Sequence, residues 1–212
     1  GRPGSGIGDS TSRRWCRQRK LDRMSPPPLA VVTGATGFLG RATCTALGQA
    51  GYRVRGLVRA EAAPLAQGVE PAPVEDLADG EGLTAALTGA DAVVHLAARA
   101  HVLQESSVDP LHAYRQINVE GTRAVMTAAI AAGVRSVVVA SSVKAVGERN
   151  TVAWTEATEP NPVDAYGMSK LEAERLALEL ASRSHVGVSI LRLPLVYGPG
   201  VRANALRLLR LV

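Results

Sequence analysis

Leu29-Ala30-Val31-Val32-Thr33-Gly34-Ala35-Thr36-Gly37-Phe38-Leu39-Gly40 is the stretch whose reading decides the fold. Its first five residues form an apolar, β-rich run that reads as a strand, and from Phe38 to Gln49 the pattern is helical. Between them, glycines allow a tight turn, let backbone N–H groups approach a ligand with no Cβ in the way, and let helix and strand pack closely. The helix N-terminus adds a dipole that favours negative charge. The spacing is G-x-x-G-x-x-G, one residue longer than the commoner G-x-G-x-x-G. Opening a chain of alternating strands and helices, it predicts a dinucleotide pyrophosphate site at Gly34, Thr36, Gly37, Phe38, Leu39 and Gly40.

Outward from this turn, Tyr52–Val58, Ala92–Leu96, Ser136–Ala140 and Val188–Leu193 also read as strands, with a weaker one near Val69–Val74. Each is short and apolar throughout, as strands buried on both faces are. Gly82–Leu87, Leu111–Ala132 and Ala165–Arg183 read as further helices, and several helices stop at glycine, as at Gly51 and Gly133. The alternation predicts an α/β fold, a doubly wound parallel sheet covered on both faces with right-handed crossovers, over residues 29–212.

Composition excludes several classes. The chain has 212 residues, 46% of them hydrophobic and 20% charged, which suits one domain with a core and rules out wholesale disorder. Two cysteines, Cys16 and Cys44, are too few for a disulfide scaffold or a cysteine-rich zinc site and fit a reducing compartment. None of the four histidines has the paired ligands of a metal site. No apolar run is long enough to span a bilayer, so a cytoplasmic protein is expected. The net charge of +5 invites a nucleic-acid reading until it is located. Residues 1–28 hold seven basic and two acidic groups, and the other 184 residues carry 17 of each sign. A neutral folded domain has no electrostatic reason to seek a phosphate backbone. The basic leader lacks a hydrophobic signal core and amphipathic pattern; it reads as a disordered segment outside the native domain, with Met24 the natural start, or else as a genuine basic tail.

A second constellation lies downstream. In Tyr166-Gly167-Met168-Ser169-Lys170, helical spacing puts Tyr166 and Lys170 on one face, and Ser141-Ser142 closes the preceding strand where open α/β sheets place ligands. A tyrosine ionises near 10, so acting as a base near neutrality requires about 4 kcal/mol of phenolate stabilisation. A lysine ammonium about 5 Å away would supply around 3 kcal/mol, and a cationic nicotinamide ring a contribution of the same sign. Ser142 would hydrogen-bond the reacting oxygen. The second strand ends in Leu57-Val58-Arg59 with no acid before Glu61. That favours NADP(H) over NAD, with Arg59 on the 2′-phosphate and Arg55 in support.

These motifs, with His95-Leu96-Ala97-Ala98, Asn118-Val119-Glu120-Gly121-Thr122 and Arg192-Leu193-Pro194-Leu195-Val196-Tyr197-Gly198-Pro199-Gly200, occur in the order found in the extended short-chain dehydrogenase/reductases. From residue 29 onward the chain resembles their NAD-dependent epimerase/dehydratase family of nucleotide-sugar enzymes, near the UDP-glucose 4-epimerases. The resemblance implies that Asp76 and Leu77 lie against adenine, that Ala97 and Ala98 line the cofactor, and that Pro194 and Val196 flank the nicotinamide side. It implies that Ser142, Tyr166 and Lys170 are catalytic, that Lys170 also holds the nicotinamide ribose, that Asn118 supports the site and that His95 is structural. It further implies an NAD(P) cofactor, a UDP-linked sugar substrate, hydride transfer at sugar C4 and a homodimer through long helices.

The chain departs from the family pattern in places. Ser142-Val143-Lys144 replaces the Thr-Asp-Glu of 4,6-dehydratases, which argues against dehydration. Val143-Lys144-Ala145-Val146-Gly147 is more like the branch holding UDP-4-keto-6-deoxy-hexosamine 4-reductases, the alternative reaction. A noncatalytic NAD(P)-binding module is the alternative of another class, and it would have no use for the tyrosine–lysine pair. Family members continue for roughly another hundred residues that grip the nucleotide. The chain is therefore expected to bind cofactor and to turn over little alone.

Overall fold

The computed structural model describes residues 26–59, 65–77, 79–100 and 107–201. The basic leader expected over residues 1–28 lies, apart from Pro26–Pro28, outside the described residues. Six strands form the sheet: β1 (Leu29–Thr33), β2 (Arg53–Val58), β3 (Val69–Pro73), β4 (Ala92–His95), β5 (Ser136–Ser142) and β6 (Gly187–Leu193). Four helices connect them: α1 (Phe38–Gln49), α2 (Gly80–Leu87), α3 (Pro110–Ala131) and α4 (Ala165–Ser182). Every pairing is parallel and the spatial order is β3-β2-β1-β4-β5-β6. The chain reverses direction between β1 and β4, so the crevice for a ligand opens above the carboxyl ends of those two strands.

Side-chain alternation along the strands sorts the core into two layers. Val31, Val93, Val137 and Val139 face α2, α3 and α4 through Leu83, Leu87, Val125, Met126 and Ala177. Val32 and Val54 face the other way, onto Ala35 and Cys44 of the first turn and α1. β1 is buried along its whole length, as its unbroken apolar run predicts. β6 differs: Val188 and Ile190 pack on the core, whereas Gly187, Ser189 and Leu191 are exposed, so this strand is covered on one face only among the described residues. β3 is an edge strand, where Pro71 and Pro73 cost no ladder hydrogen bond.

Two boundaries shift by two residues from expectation for local reasons, and the others by one at most. α2 begins at Gly80 because Asp79 caps it, accepting the Gly82 N–H at 3.1 Å. β5 runs on through Ser141 and Ser142, still paired with Arg192 and Leu193 of β6. The catalytic-serine candidate is therefore the last residue of a central strand, held by the ladder on one side.

Candidate active site

At the end of β1, Gly34 adopts φ +67°, and a Cβ there would sit 2.9 Å from the Ala97 backbone nitrogen. The backbones leaving β1 and β4 thus touch, which only glycine at this point permits. Gly40 lies in α1, where a Cβ would be 2.0 Å from the Gly34 carbonyl oxygen. The helix start is pressed onto the turn, and Gly37 N–H donates to Gly34 O at 2.9 Å to close it. α1 has no side-chain cap and no acidic residue in its first turn. Its leading N–H groups, from Phe38 onward, are left for an anion. Phe38 also meets the loop after β6: a Cβ on Gly198 would lie 3.9 Å from its ring.

Beneath the crevice runs a buried chain of polar groups. Thr33 Oγ1 accepts the N–H groups of Leu96 and Ala97, each at 3.1 Å, and pairs with His95 Nδ1 at 2.8 Å. His95 Nε2 pairs with Thr122 Oγ1 at 3.1 Å, and that hydroxyl spends its proton on Asn118 O at 2.7 Å. Thr122 must then accept, so the imidazole carries its proton on Nε2 and accepts from Thr33 on Nδ1. Burial, reinforced by the nearby Lys170 charge, drives the His95 pKa down to about 3 and keeps the ring neutral. Asn118 extends the chain to α4. It accepts Arg99 N–H at 2.8 Å and donates to Arg99 O at 3.2 Å and to Ser169 Oγ at 2.9 Å; Ser169 in turn donates to Tyr166 O at 2.8 Å.

Asp164 caps α4 through a 2.6 Å bond from Gly167 N–H, which fixes the turn that carries Tyr166. Burial raises the Tyr166 pKa above its ordinary value, while a hydrogen bond with Ser142 pulls it back. Asp164 and Tyr114 raise it further and Lys144 lowers it. Tyr114, from α3, stacks obliquely on Tyr166 with ring centroids 5.8 Å apart, and Arg99 sits 5.3 Å over the Tyr114 ring. Lys170 is only 3% exposed and makes no hydrogen bond to a described residue. Desolvation drives its pKa down to about 8, against the pull of Glu174. Glu174, also 3% exposed, accepts from Ser141 Oγ and holds Arg192 of β6 in a bidentate pair, with Nη2 2.7 Å from Oε2.

The structure therefore brings Ser142 and Tyr166 together and adds a second cation, Lys144, which lowers the Tyr166 phenol pKa. Lys170 lies one helical turn further along α4, where its charge also falls on Glu174 and His95. Arg55 departs from its expected role. Its guanidinium bonds Ala86 O at 2.8 Å and Thr88 O at 3.3 Å and faces Glu70, so it closes the end of α2 and is not free for a phosphate. Arg59 is exposed at the end of β2. Leu77 packs against Gly121 of α3 beside the exposed Asp76, and Ala97 and Ala98 are half-buried at the end of β4. Pro194 is exposed and Val196 half-buried in the loop that returns towards Phe38. Glu174 and Tyr114 escaped the sequence reading. Glu174 repeats the Tyr166–Lys170 spacing once more along α4, a signal that was there to be used.

A family model described as the NAD dependent epimerase/dehydratase family matches residues 30–210. The chain belongs to that family. A UDP-glucose 4-epimerase of Vibrio cholerae is 39% identical over 194 residues, covering 90% of this chain and 58% of its relative. MoeE5 in complex with UDP-glucuronic acid and NAD superposes with a TM-score of 0.69 at 36% identity, covering 82% of this chain and 57% of that one. The UDP-glucose 4-epimerase of Thermotoga maritima with UDP-glucose superposes with a TM-score of 0.70 at 27% identity, covering 81% and 57%. This epimerase/dehydratase-family chain thus spans somewhat under three-fifths of the length of these relatives. Among its described residues, no helix is long and apolar enough to cross a membrane.

Proposed function

We propose that this chain is the cofactor-binding and catalytic part of an NAD(P)-dependent nucleotide-sugar 4-epimerase acting on a UDP-linked hexose. The observation that carries the reading is the meeting of Ser142 and Tyr166 at the carboxyl end of the sheet, with the buried Lys170 ammonium beneath. The residues fit the cofactor on two counts. The turn of Gly34, Gly37 and Gly40 packs backbone on backbone with no room for a Cβ and leaves the uncapped start of α1 to an anion, and Lys170 has hydrogen-bonding capacity that no described residue uses. In this reading the leading N–H groups of α1 hold the pyrophosphate, Asp76 and Leu77 flank adenine, and Ala97, Ala98, Pro194 and Val196 line the nicotinamide side.

NAD(P) bound there would supply a reversible acceptor for the C4 hydride. Tyr166 accepts the proton of the C4 hydroxyl and, once the 4-keto sugar has turned over so that the hydride returns to its other face, gives the proton back to the C4 oxygen. Ser142 bonds the C4 oxygen and holds it in register with the phenol. Lys170 anchors the nicotinamide ribose, and Asn118 keeps the turn bearing Tyr166 in place through Ser169. Burial raises the phenol pKa, and the Lys170 ammonium together with the charge of a bound nicotinamide ring would offset it. Arg59 would meet the 2′-phosphate of NADP(H). The likeness to MoeE5 in complex with NAD supports NAD as well, so the two dissociation constants decide between them.

A one-way 4-ketoreductase using the same three residues is the second reading, favoured by the Val143-Lys144 run and by 35% identity over 160 residues to a protein named as a dihydroflavonol 4-reductase of Synechocystis. Incubating the full chain with UDP-glucose and no added cofactor separates them. UDP-galactose signals the epimerase; inertness with NADPH consumption on a 4-keto sugar signals the reductase. Failure to bind either dinucleotide at millimolar concentration would overturn both.

A further inference from the structure

We propose that Lys144 is a positioning residue that sets the spacing of the Ser142 and Tyr166 hydroxyls by tying the strand-end turn to the start of α4; this rests on the function proposed above. After β5 the chain makes a 3-10 turn, Val143–Ala145, in which Ser142 Oγ accepts the Lys144 N–H at 3.2 Å. The Lys144 ammonium then reaches Asp164 Oδ2 at 2.5 Å and Glu148 Oε1 at 2.7 Å. Asp164 is the cap of α4, and its other oxygen takes the Gly167 N–H at 2.6 Å. The backbones close at the same point: a Cβ on Gly167 would lie 2.4 Å from the Lys144 carbonyl oxygen. Both reacting hydroxyls are within two residues of this joint, so its geometry is passed directly to them.

The joint is electrically matched to its place. Bonds from Asp164 and Glu148 push the Lys144 pKa up to about 12, so it stays charged across any working pH. Burial opposes ionisation of Asp164, yet the bonds from Lys144 and Gly167 hold its pKa below the usual carboxylate value. The groups facing Tyr166 are Ser142 and Lys144 from the turn, Asp164 from the start of α4 and Tyr114 from α3. Lys144 lowers the phenol pKa and Asp164 raises it, so the two oppose each other at Tyr166 while still fixing distance.

The test reads kcat, KM and the Tyr166 ionisation midpoint, the last as the phenolate absorbance that disappears in the matching Tyr166→Phe chain. Lys144→Met is expected to lower kcat roughly tenfold or more, leave KM and the NAD(P) dissociation constant within about twofold, and move the midpoint up. Asp164→Asn keeps a helix cap, breaks the ion pair, and is expected to lower kcat similarly while moving the midpoint down. Opposite midpoint shifts with the same loss of kcat cannot come from electrostatics alone. Lys144→Arg restores both quantities. Wild-type kcat with an unmoved midpoint in Lys144→Met, or an unchanged kcat in Asp164→Asn, overturns the inference. If the unaltered chain binds neither NAD nor NADP(H), the proposed function fails, and the midpoints still decide whether Lys144 governs Tyr166.

Discussion

Replacing Gly40 by alanine sets two effects of opposite sign against each other. In the interior of a helix, Gly→Ala ordinarily stabilises by roughly 0.5–1 kcal/mol, because alanine loses less conformational freedom on folding. At Gly40, however, the new Cβ would lie 2.0 Å from Gly34 O and 2.8 Å from the carbonyl carbon and Cα of Ala35. All three atoms are backbone, so no side chain can rotate away, and α1 must retreat by more than 1 Å to reach ordinary contact. Overpacking of this kind costs about 1–3 kcal/mol, which exceeds the propensity gain. The retreat also carries the leading N–H groups of α1 out of hydrogen-bond range of a bound pyrophosphate. Two charge-assisted bonds at about 1.5 kcal/mol each amount to about a hundredfold in the dissociation constant. Gly48 supplies the control. It lies on the same helix, exposed, with nothing within 4 Å of its would-be Cβ. Gly48→Ala is therefore expected to stabilise by roughly 0.5–1 kcal/mol and to leave affinity unchanged. Urea unfolding followed by circular dichroism reads the stabilities, and calorimetric titration with NAD reads the affinities. If the two variants shift stability in the same direction, or Gly40→Ala binds NAD as the parent does, the close approach of α1 to the turn does not govern the site.

Three further perturbations probe the buried polar groups. Thr33→Val strips an acceptor from two backbone N–H groups and a donor from His95, at an expected cost of about 2–4 kcal/mol in urea unfolding, which Thr33→Ser largely recovers. His95, with its folded pKa about 3 against an ordinary 6.5, gives stability that is complete above pH 6.5 and falls as pH drops towards 3. The slope is up to about 1.4 kcal/mol per pH unit. Unfolding at pH 7, 6 and 5 should show it, and His95→Gln should flatten it. Lys170, lowered to about 8 from 10.5, is bound by a proton more often in the unfolded chain, so stability rises with pH between those values. Lys170→Met should remove that slope and raise stability at pH 7 by about 3 kcal/mol or less, while NAD(P) affinity falls; a variant that keeps the slope contradicts the burial of this charge.

Local pattern made much of the fold legible: β1 and α1 begin and end where the run Leu29–Thr33 and the helical pattern Phe38–Gln49 place them. What pattern could not supply was spatial order. Thr33 and His95 are 62 residues apart, and nothing in either neighbourhood announces the other. They become partners because β1 lies beside β4 in a register that sets Thr33 opposite His95. Glu174 and Arg192 follow the same logic: Ser141 and Arg192 are register partners on β5 and β6, and α4 lays Glu174 across both.

Both polar clusters therefore arise where the carboxyl ends of neighbouring strands run out of ladder, and each brings a side chain to stand in for the next rung. Thr33 takes the N–H groups of Leu96 and Ala97 where β4 stops pairing, and Glu174 binds a strand-end pair from the helix above. A sheet that ended without such substitutes would leave buried donors unpaired at the floor of the crevice. The same groups extend through Asn118 and Ser169 to the backbone of Tyr166, so satisfying the strand ends also fixes the turn that bears Tyr166. This is why the apolar stretches of the sequence disclosed the scaffold whereas the site's supports, Thr33, Thr122 and Glu174, stayed hidden. Their partners are chosen by strand order, and a linear pattern read one element at a time does not contain strand order.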